Sequence, residues 1–262
     1  MAGRIRIGRI PIDAVGFDES IERITALVRL RRGGCVFTPN VDHVMIAERD
    51  ARFREAYAEA SLSLVDGMPL VWAARLLGSR LPEKISGADL VRPLAARAAQ
   101  CGFAVYVLGG QPGSAEAAAA ALVADYPGLR VVGADAPAID IDRAADDSAS
   151  VIARITAARP DLVFVGLGAP KQEIWIHRHR AALGPAVAVA VGAALDFLAG
   201  RIRRAPRWMS DAGVEWSYRL AREPRRLAHR YLVRDMGFGL VLARMLAARG
   251  RLRSAPGYER NA

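Results

Sequence analysis

Short apolar runs alternate with longer helical patterns along most of this 262-residue chain, and that alternation limits the fold more than any other feature. Strand-length runs lie at Cys35–Thr38, Leu62–Val65, Val105–Leu108, Leu129–Val132, Leu162–Val165 and Val187–Val191. Helical patterns fill the intervals: Ser20–Arg31, Val41–Ala60, Pro69–Leu77, Ala88–Gln100, Ser114–Asp125, Ser148–Arg159 and Gln172–Ala182. Asp18, Ser114 and Asp147 stand where helix caps belong. Apolar strands separated by helices predict an α/β fold with a doubly wound, mostly parallel, Rossmann-like sheet. From Arg201 the strand pattern stops. Helical patterns near Asp211–Arg222, Arg225–Leu232 and Asp235–Ala248 follow, so the expected division is an α/β domain at 1–200 and a basic helical appendage at 201–262.

Charge divides the chain at the same place. Residues 1–199 hold 22 basic and 22 acidic side chains, whereas residues 200–262 hold 15 arginines against 5 acids, so the tail carries the whole net charge of +10. A neutral body with a basic tail predicts a polyanionic partner for the tail alone. Trp208, Trp216, Tyr218, Tyr231 and Phe238 are mixed among the arginines, and aromatics in a basic segment favour an anionic membrane surface over nucleic acid. The competing readings are a solvated helical face and the basic arm of a nucleotide-sensing, nucleic-acid-binding regulator. Only Cys35 and Cys101 are present, without metal-type spacing, which predicts a reducing compartment and no disulfide framework. No secretion signal and no apolar run of transmembrane length are evident, so a cytoplasmic, peripheral location is expected.

Ligands on doubly wound sheets bind beyond the carboxyl ends of the strands. The residues just past each strand are Thr38-Pro39-Asn40, Asp66-Gly67, Gly109-Gly110, Gly166-Leu167-Gly168, and Gly192 followed by Asp196. The stretch Gly166–Glu173 reads as strand, turn and helix start, which puts backbone N–H groups where an anion such as a phosphate can dock. Lys171, Gln172 and Glu173 project from that rim. One cleft could thus hold a phosphorylated ligand beside a carboxylate. Thr38 and Asn40 also fit simple capping of the next helix, and Asp66-Gly67 also fits an ordinary turn.

Other chemistries lack their residues. His177 and His179 stand two apart on a helical pattern, on different faces, which argues against a metal pair. There is no Gly-x-Ser-x-Gly elbow and no Gly-Lys-Ser/Thr phosphate loop, and the third glycine of a dinucleotide fingerprint is missing after both glycine turns. Asp140-Ile141-Asp142 matches a metal motif of some sugar transferases, but a solvated loop before a helix explains it better. No metal and no cofactor are expected.

The ordered motifs carry a resemblance. They are Thr38-Pro39-Asn40, Leu64-Val65-Asp66-Gly67, Ser86–Leu90, Tyr106–Gly110, Gly166–Glu173, Val191-Gly192 with Asp196, Gly200 with Arg204-Ala205-Pro206, and Gly213–Trp216 with Tyr218-Arg219 and Glu223-Pro224. Over roughly residues 5–235 they resemble the WecG/TagA/CpsF family of bacterial glycosyltransferases. That resemblance implies metal-independent, inverting transfer of a sugar from a UDP-sugar to a polyprenyl-diphosphate-linked saccharide at the cytoplasmic membrane face. It implies Asp66 as general base, Thr38, Asn40 and Gln172 as active-site residues, and Asp196 near the uridine. Without a metal, the leaving diphosphate needs amides and basic side chains. Gly109, Gly110, Gly168, Lys171, Lys84, Arg203, Arg219 and Arg226 are the candidates. Lys84 stands where the family usually has arginine, which keeps the charge and loses the bidentate fork. A homo-oligomer is compatible with the sequence, and the resemblance leaves the donated sugar open among N-acetylmannosamine, its uronic acid and a hexose.

Overall fold

In a computed structural model, the described residues are 3–143, 147–206, 208–209, 213–222, 224 and 234–254. An antiparallel hairpin, β1 (Arg4–Ile7) and β2 (Ile10–Asp13), precedes the first of the strand-length runs. Its signal is the alternation of arginine and isoleucine around Gly8, compressed into four-residue strands. Ile7, Ile10 and Ile12 are fully buried. Asp13 pins the hairpin to the rest of the fold, accepting from Arg4 Nη2 at 2.9 Å and from the Ser63 backbone N–H at 2.8 Å.

Six parallel strands form the main sheet: β3 (Gly34–Phe37), β4 (Leu62–Ser63), β5 (Ala104–Gly109), β6 (Arg130–Asp135), β7 (Leu162–Gly166) and β8 (Val187–Ala190), in the order β4-β3-β8-β7-β5-β6. The six sequence runs correspond to these strands, with β4 shortened and β6 shifted toward its C-terminal side. From β3 the chain moves outward to β4 at one edge, and from β5 outward to β6 at the other. The winding therefore reverses in the middle of the sheet, the place where such folds open a crevice.

Alternate residues on each strand feed opposite faces. Val36, Val105, Val107, Phe164 and Val189 pack into one buried cluster, while Cys35, Phe37, Leu108, Val163, Val165 and Ala188 pack into another. The first is covered by α1 (Phe17–Leu30), α5 (Gly87–Cys101), α6 (Ser114–Asp125) and the short α9 (Ala194–Leu198). The second is covered by the hairpin together with α2 (Val41–Ala47), α3 (Ala51–Ala58), α4 (Met68–Leu76), α7 (Ser148–Ala158) and α8 (Lys171–His179). This is the doubly wound α/β architecture expected from the alternation.

Several local expectations are corrected. The helical pattern Val41–Ala60 is two helices, because the Asp50 carboxylate accepts from Arg52 N at 2.9 Å and Phe53 N at 3.3 Å and so starts α3 afresh. The pattern Gln172–Ala182 ends as α8 at His179. Asp18 and Ser114 lie inside helices, and Asp147 takes the N-cap position of α7 without a side-chain bond; among the described residues Asn40, Asp50 and Ser86 cap with their side chains.

The tail contributes α10 (Glu215–Arg222) and α11 (Phe238–Ser254), which agree with two of the helical patterns near residues 211–222 and 235–248. The pattern Arg225–Leu232 lies outside the described residues. Val241 of α11 is buried in the cluster that holds Ile7 and Ile10, and Met245 Sδ lies 3.0 Å from Gly8 N. Among the described residues no helix is long and apolar enough to cross a membrane.

Candidate active site

The carboxyl ends of β3, β4 and β8 and the start of α8 surround a cavity of about 670 Å³. Thr38, Asn40, Asp66, Lys84, Gly168 and Gln172 all line it, so six of the sequence-selected residues meet in one place. Asp66 arrives there because its backbone N–H donates to Pro39 O at 2.7 Å, tying the end of β4 to the end of β3. Gly67, with φ +109°, turns the chain away into α4 in a conformation that a side chain would strain. Thr38 Oγ1 donates to Ala190 O at 3.4 Å. Asn40 caps α2 with its side chain, accepting from His43 N, so the capping and cavity-lining readings both hold for this residue.

Glycine shapes the neighbouring turn as well. Gly109 ends β5 at φ +104°, and a Cβ there would stand 2.7 Å from the carbonyl of Gly166. Gly110 N then donates to Gly166 O at 2.8 Å. Gly110 and Lys171 line a second cavity, also about 670 Å³, beside Gly166 and Leu167. Lys171 Nζ donates to Ile139 O at 3.2 Å on its far wall.

Other selected residues fall elsewhere. Asp196 is buried, and its Oδ1 accepts from Gln111 N at 2.9 Å and Ser114 Oγ at 2.7 Å, which braces the start of α6 against α9 and keeps it off both cavity walls. Arg203 is exposed and lines neither cavity. Its neighbour Arg204 lines the main one, with Nη2 2.6 Å from Asp89 Oδ1 and 3.3 Å from Ser86 Oγ. Burial alone would raise the Asp89 carboxyl, yet the Ser86 hydroxyl and the Arg204 guanidinium hold it below the usual carboxylate range. Arg204 is thus a functional candidate that the motif Arg204-Ala205-Pro206 contained and strand-end reasoning passed over. Arg219 lies on α10 with its side chain outside the described residues, and Arg226 lies wholly outside them.

The tail closes part of the cavity. Trp216, Asp235, Met236 and Phe238 line it, and Arg234 Nε lies 2.5 Å from the buried Asp42 Oδ1 of α2. Among the described residues no three His, Cys, Asp or Glu side chains group as a metal site. Asp140 and Asp142 face arginines instead, Arg143 at 3.3 Å and Arg52 at 2.8 Å.

A half-buried carboxylate beside amides, a hydroxyl and basic side chains is a constellation suited to moving a group away from a phosphate. Residues 5–252 match the glycosyl transferase WecG/TagA/CpsF family. The chain belongs to that family. Two relatives carry the name N-acetylglucosaminyldiphosphoundecaprenol N-acetyl-beta-D-mannosaminyltransferase. The one from Bacillus subtilis (strain 168) is 29% identical over 192 residues, covering 73% of each chain. The one from Bacillus spizizenii (strain ATCC 23059 / NRRL B-14472 / W23) is 31% identical over 202 residues, covering 77% of this chain and 76% of its own. The protein is accordingly a glycosyltransferase, and the family resemblance in the sequence extends over nearly all of the chain.

Proposed function

We propose that this WecG/TagA/CpsF glycosyltransferase moves N-acetylmannosamine or a related sugar from a UDP-sugar to a polyprenyl-diphosphate-linked saccharide during surface polysaccharide synthesis. The observation that carries the reading is the convergence of Asp66, Thr38, Asn40, Gln172, Lys84 and Arg204 on one cavity. The names of the two Bacillus relatives supply the sugar and the acceptor class, an N-acetylglucosaminyl-diphosphate lipid.

In this reading the acceptor hydroxyl attacks the anomeric carbon as Asp66 takes its proton. The bond from that carbon to the diphosphate oxygen breaks, and UDP leaves with the electron pair. Attack on the face opposite the leaving group inverts the anomeric centre. Lys84 and Arg204 stabilise the charge gathering on the departing diphosphate, and Arg219 and Arg226 of the tail are further candidates for that role. Asn40 and Gln172 orient the reacting sugars, and Gly109, Gly110 and Lys171 form a rim suited to the nucleotide. The basic tail rests on the anionic inner surface of the plasma membrane, so the cavity meets an acceptor anchored there. Exposed Trp208 (66%), Met236 (73%) and Leu240 (73%) offer the apolar contacts that such docking uses.

The test is direct transfer. The full chain is incubated with UDP-N-acetylmannosamine and a short-chain polyprenyl-diphosphate N-acetylglucosamine, with and without EDTA. Formation of the inverted disaccharide lipid and UDP at equal rates in both supports the reading. Absence of product with every UDP-sugar offered, or loss with EDTA and recovery with manganese, contradicts it.

A further inference from the structure

A buried polar pair braces the cavity wall: His43 lines the cavity and Glu173 does not. His43 lies in the first turn of α2 and Glu173 in the first turn of α8, 130 residues apart in sequence, and they are 5% and 0% exposed. A fully buried carboxylate is costly unless cations and hydrogen bonds offset its lost hydration. Glu173 Oε1 has two such partners, His43 Nε2 at 3.1 Å and Gln172 Nε2 at 2.8 Å. On its other side His43 Nδ1 lies 2.8 Å from Asn40 Oδ1 and 3.3 Å from Asn40 N. Gln172 Oε1 accepts from Gly192 N at 3.1 Å.

One carboxylate oxygen therefore bonds the Gln172 amide directly and meets the Asn40 amide, itself held by the His43 backbone N–H, through the His43 ring. The carboxamide of Gln172 is held at both ends, by Glu173 and by the end of β8. The Oδ1 end of Asn40 is turned toward His43. The rings of Phe53 and Tyr57 pack on His43 with centroids 5.6 Å and 6.2 Å away, which keeps the pair in an apolar wall. Burial pushes the Tyr57 hydroxyl well above its ordinary range, and the charges of Glu173 and Asp66 add to the effect.

We propose that Glu173 is a positioning residue of the transfer site: without touching substrate, it sets the orientation of Gln172 directly and of Asn40 through His43. This rests on the reading of the cavity as the place of sugar transfer. It joins the end of β3, the end of β8 and the N-terminus of α8 through one charge, so the three cannot shift independently. The glutamate earns its burial by geometry rather than by chemistry of its own.

The experiment compares the full-length parent with Glu173→Gln, His43→Gln, the double variant and Asp66→Asn. Each is measured for steady-state transfer from UDP-N-acetylmannosamine to the short-chain acceptor, for UDP affinity and for thermal unfolding. Glu173→Gln should keep UDP affinity and donor KM within about threefold while kcat falls about 10- to 100-fold, the effect of displacing reacting groups by about 1 Å. His43→Gln still offers Oε1 an N–H but cannot reach Asn40 as well, and should lose about tenfold in kcat. The double variant should be little worse than Glu173→Gln alone, because residues acting as a unit are not additive. A merely structural role lowers the melting temperature and leaves kcat alone, so a folded Glu173→Gln enzyme within about threefold of the parent kcat overturns the proposal. Should that variant not fold, an unchanged kcat in His43→Gln overturns it equally. Asp66→Asn separates the two claims: if it is inactive while Glu173→Gln is not, only the positioning role fails. If Asp66→Asn is fully active, the reading of the cavity fails as well.

Discussion

At the residue scale, the difference between neighbouring arginines decides what the cavity can do. Arg204 lines the cavity and reaches Ser86 and Asp89, whereas Arg203 lines neither cavity. A hydrogen bond from a guanidinium to a charged diphosphate is worth about 1.5–3 kcal/mol, or about 10- to 100-fold in rate. Arg204→Ala should therefore lower kcat/KM for the UDP-sugar by about that factor, and Arg203→Ala should stay within about threefold. Parallel kinetics of the two variants checks this; equal losses would return Arg203 to the site. Sequence could place Asp66, Thr38, Asn40 and Gln172 because each sits at a strand end or helix start, where the edge of a parallel sheet is predictable. It could not choose between Arg203 and Arg204, since no periodic element sets the direction of their side chains. Asp196 was legible as a strand-end acid, but its bonds to Gln111 and Ser114 depend on how α9 packs against α6. His43 carried a local signal, the Asn40-x-x-His43 spacing of a capping box, while its partner Glu173 lies too far along the chain for any local pattern to connect them.

At the scale of elements, the alternation of valine-rich runs and helices was enough to give the sheet and its covering layers. Helix boundaries were less legible, because apolar periodicity runs unbroken across a cap. The break between α2 and α3 rests on the Asp50 cap. Asp50→Ala should lower the unfolding free energy by about 1 kcal/mol near neutral pH, measured by urea titration. The Arg52 side chain, with the Phe53 and Arg52 backbone N–H groups, holds the Asp50 carboxyl below its usual range. A depressed folded-state pKa gives stability that is complete above the ordinary carboxylate range and is lost as pH falls through the folded value. The gap between parent and variant should therefore narrow in acid. A gap that is absent at neutral pH, or that widens in acid, contradicts the cap. The hairpin of β1 and β2 went unseen for another reason: four-residue strands are too short for a period-2 pattern to stand out, and the anchor of Asp13 to Ser63 spans 50 residues.

At the scale of the whole molecule, charge and cavity meet in the tail. The body is neutral, residues 200–262 carry +10, and the same segment supplies Trp216, Met236 and Phe238 to the cavity wall. Each basic residue near an anionic surface contributes about 1 kcal/mol, so truncation before Ser210 should release the protein from phosphatidylserine-containing liposomes in a flotation assay. The same truncation should depress transfer to a soluble acceptor, because the wall opens. Full soluble-acceptor activity after truncation would reduce the tail to an anchor. The proposed transfer turns on Asp66, a carboxylate that the end of β4 brings into a cavity lined by amides and basic groups. Its most direct test is Asp66→Asn, assayed for UDP binding and for single-turnover transfer in the same preparation. UDP affinity should stay within about threefold while the transfer rate falls by about two to four powers of ten, the usual share of general base catalysis. A variant that binds UDP and transfers sugar within about threefold of the parent rate would contradict the assignment of the reaction to this carboxylate.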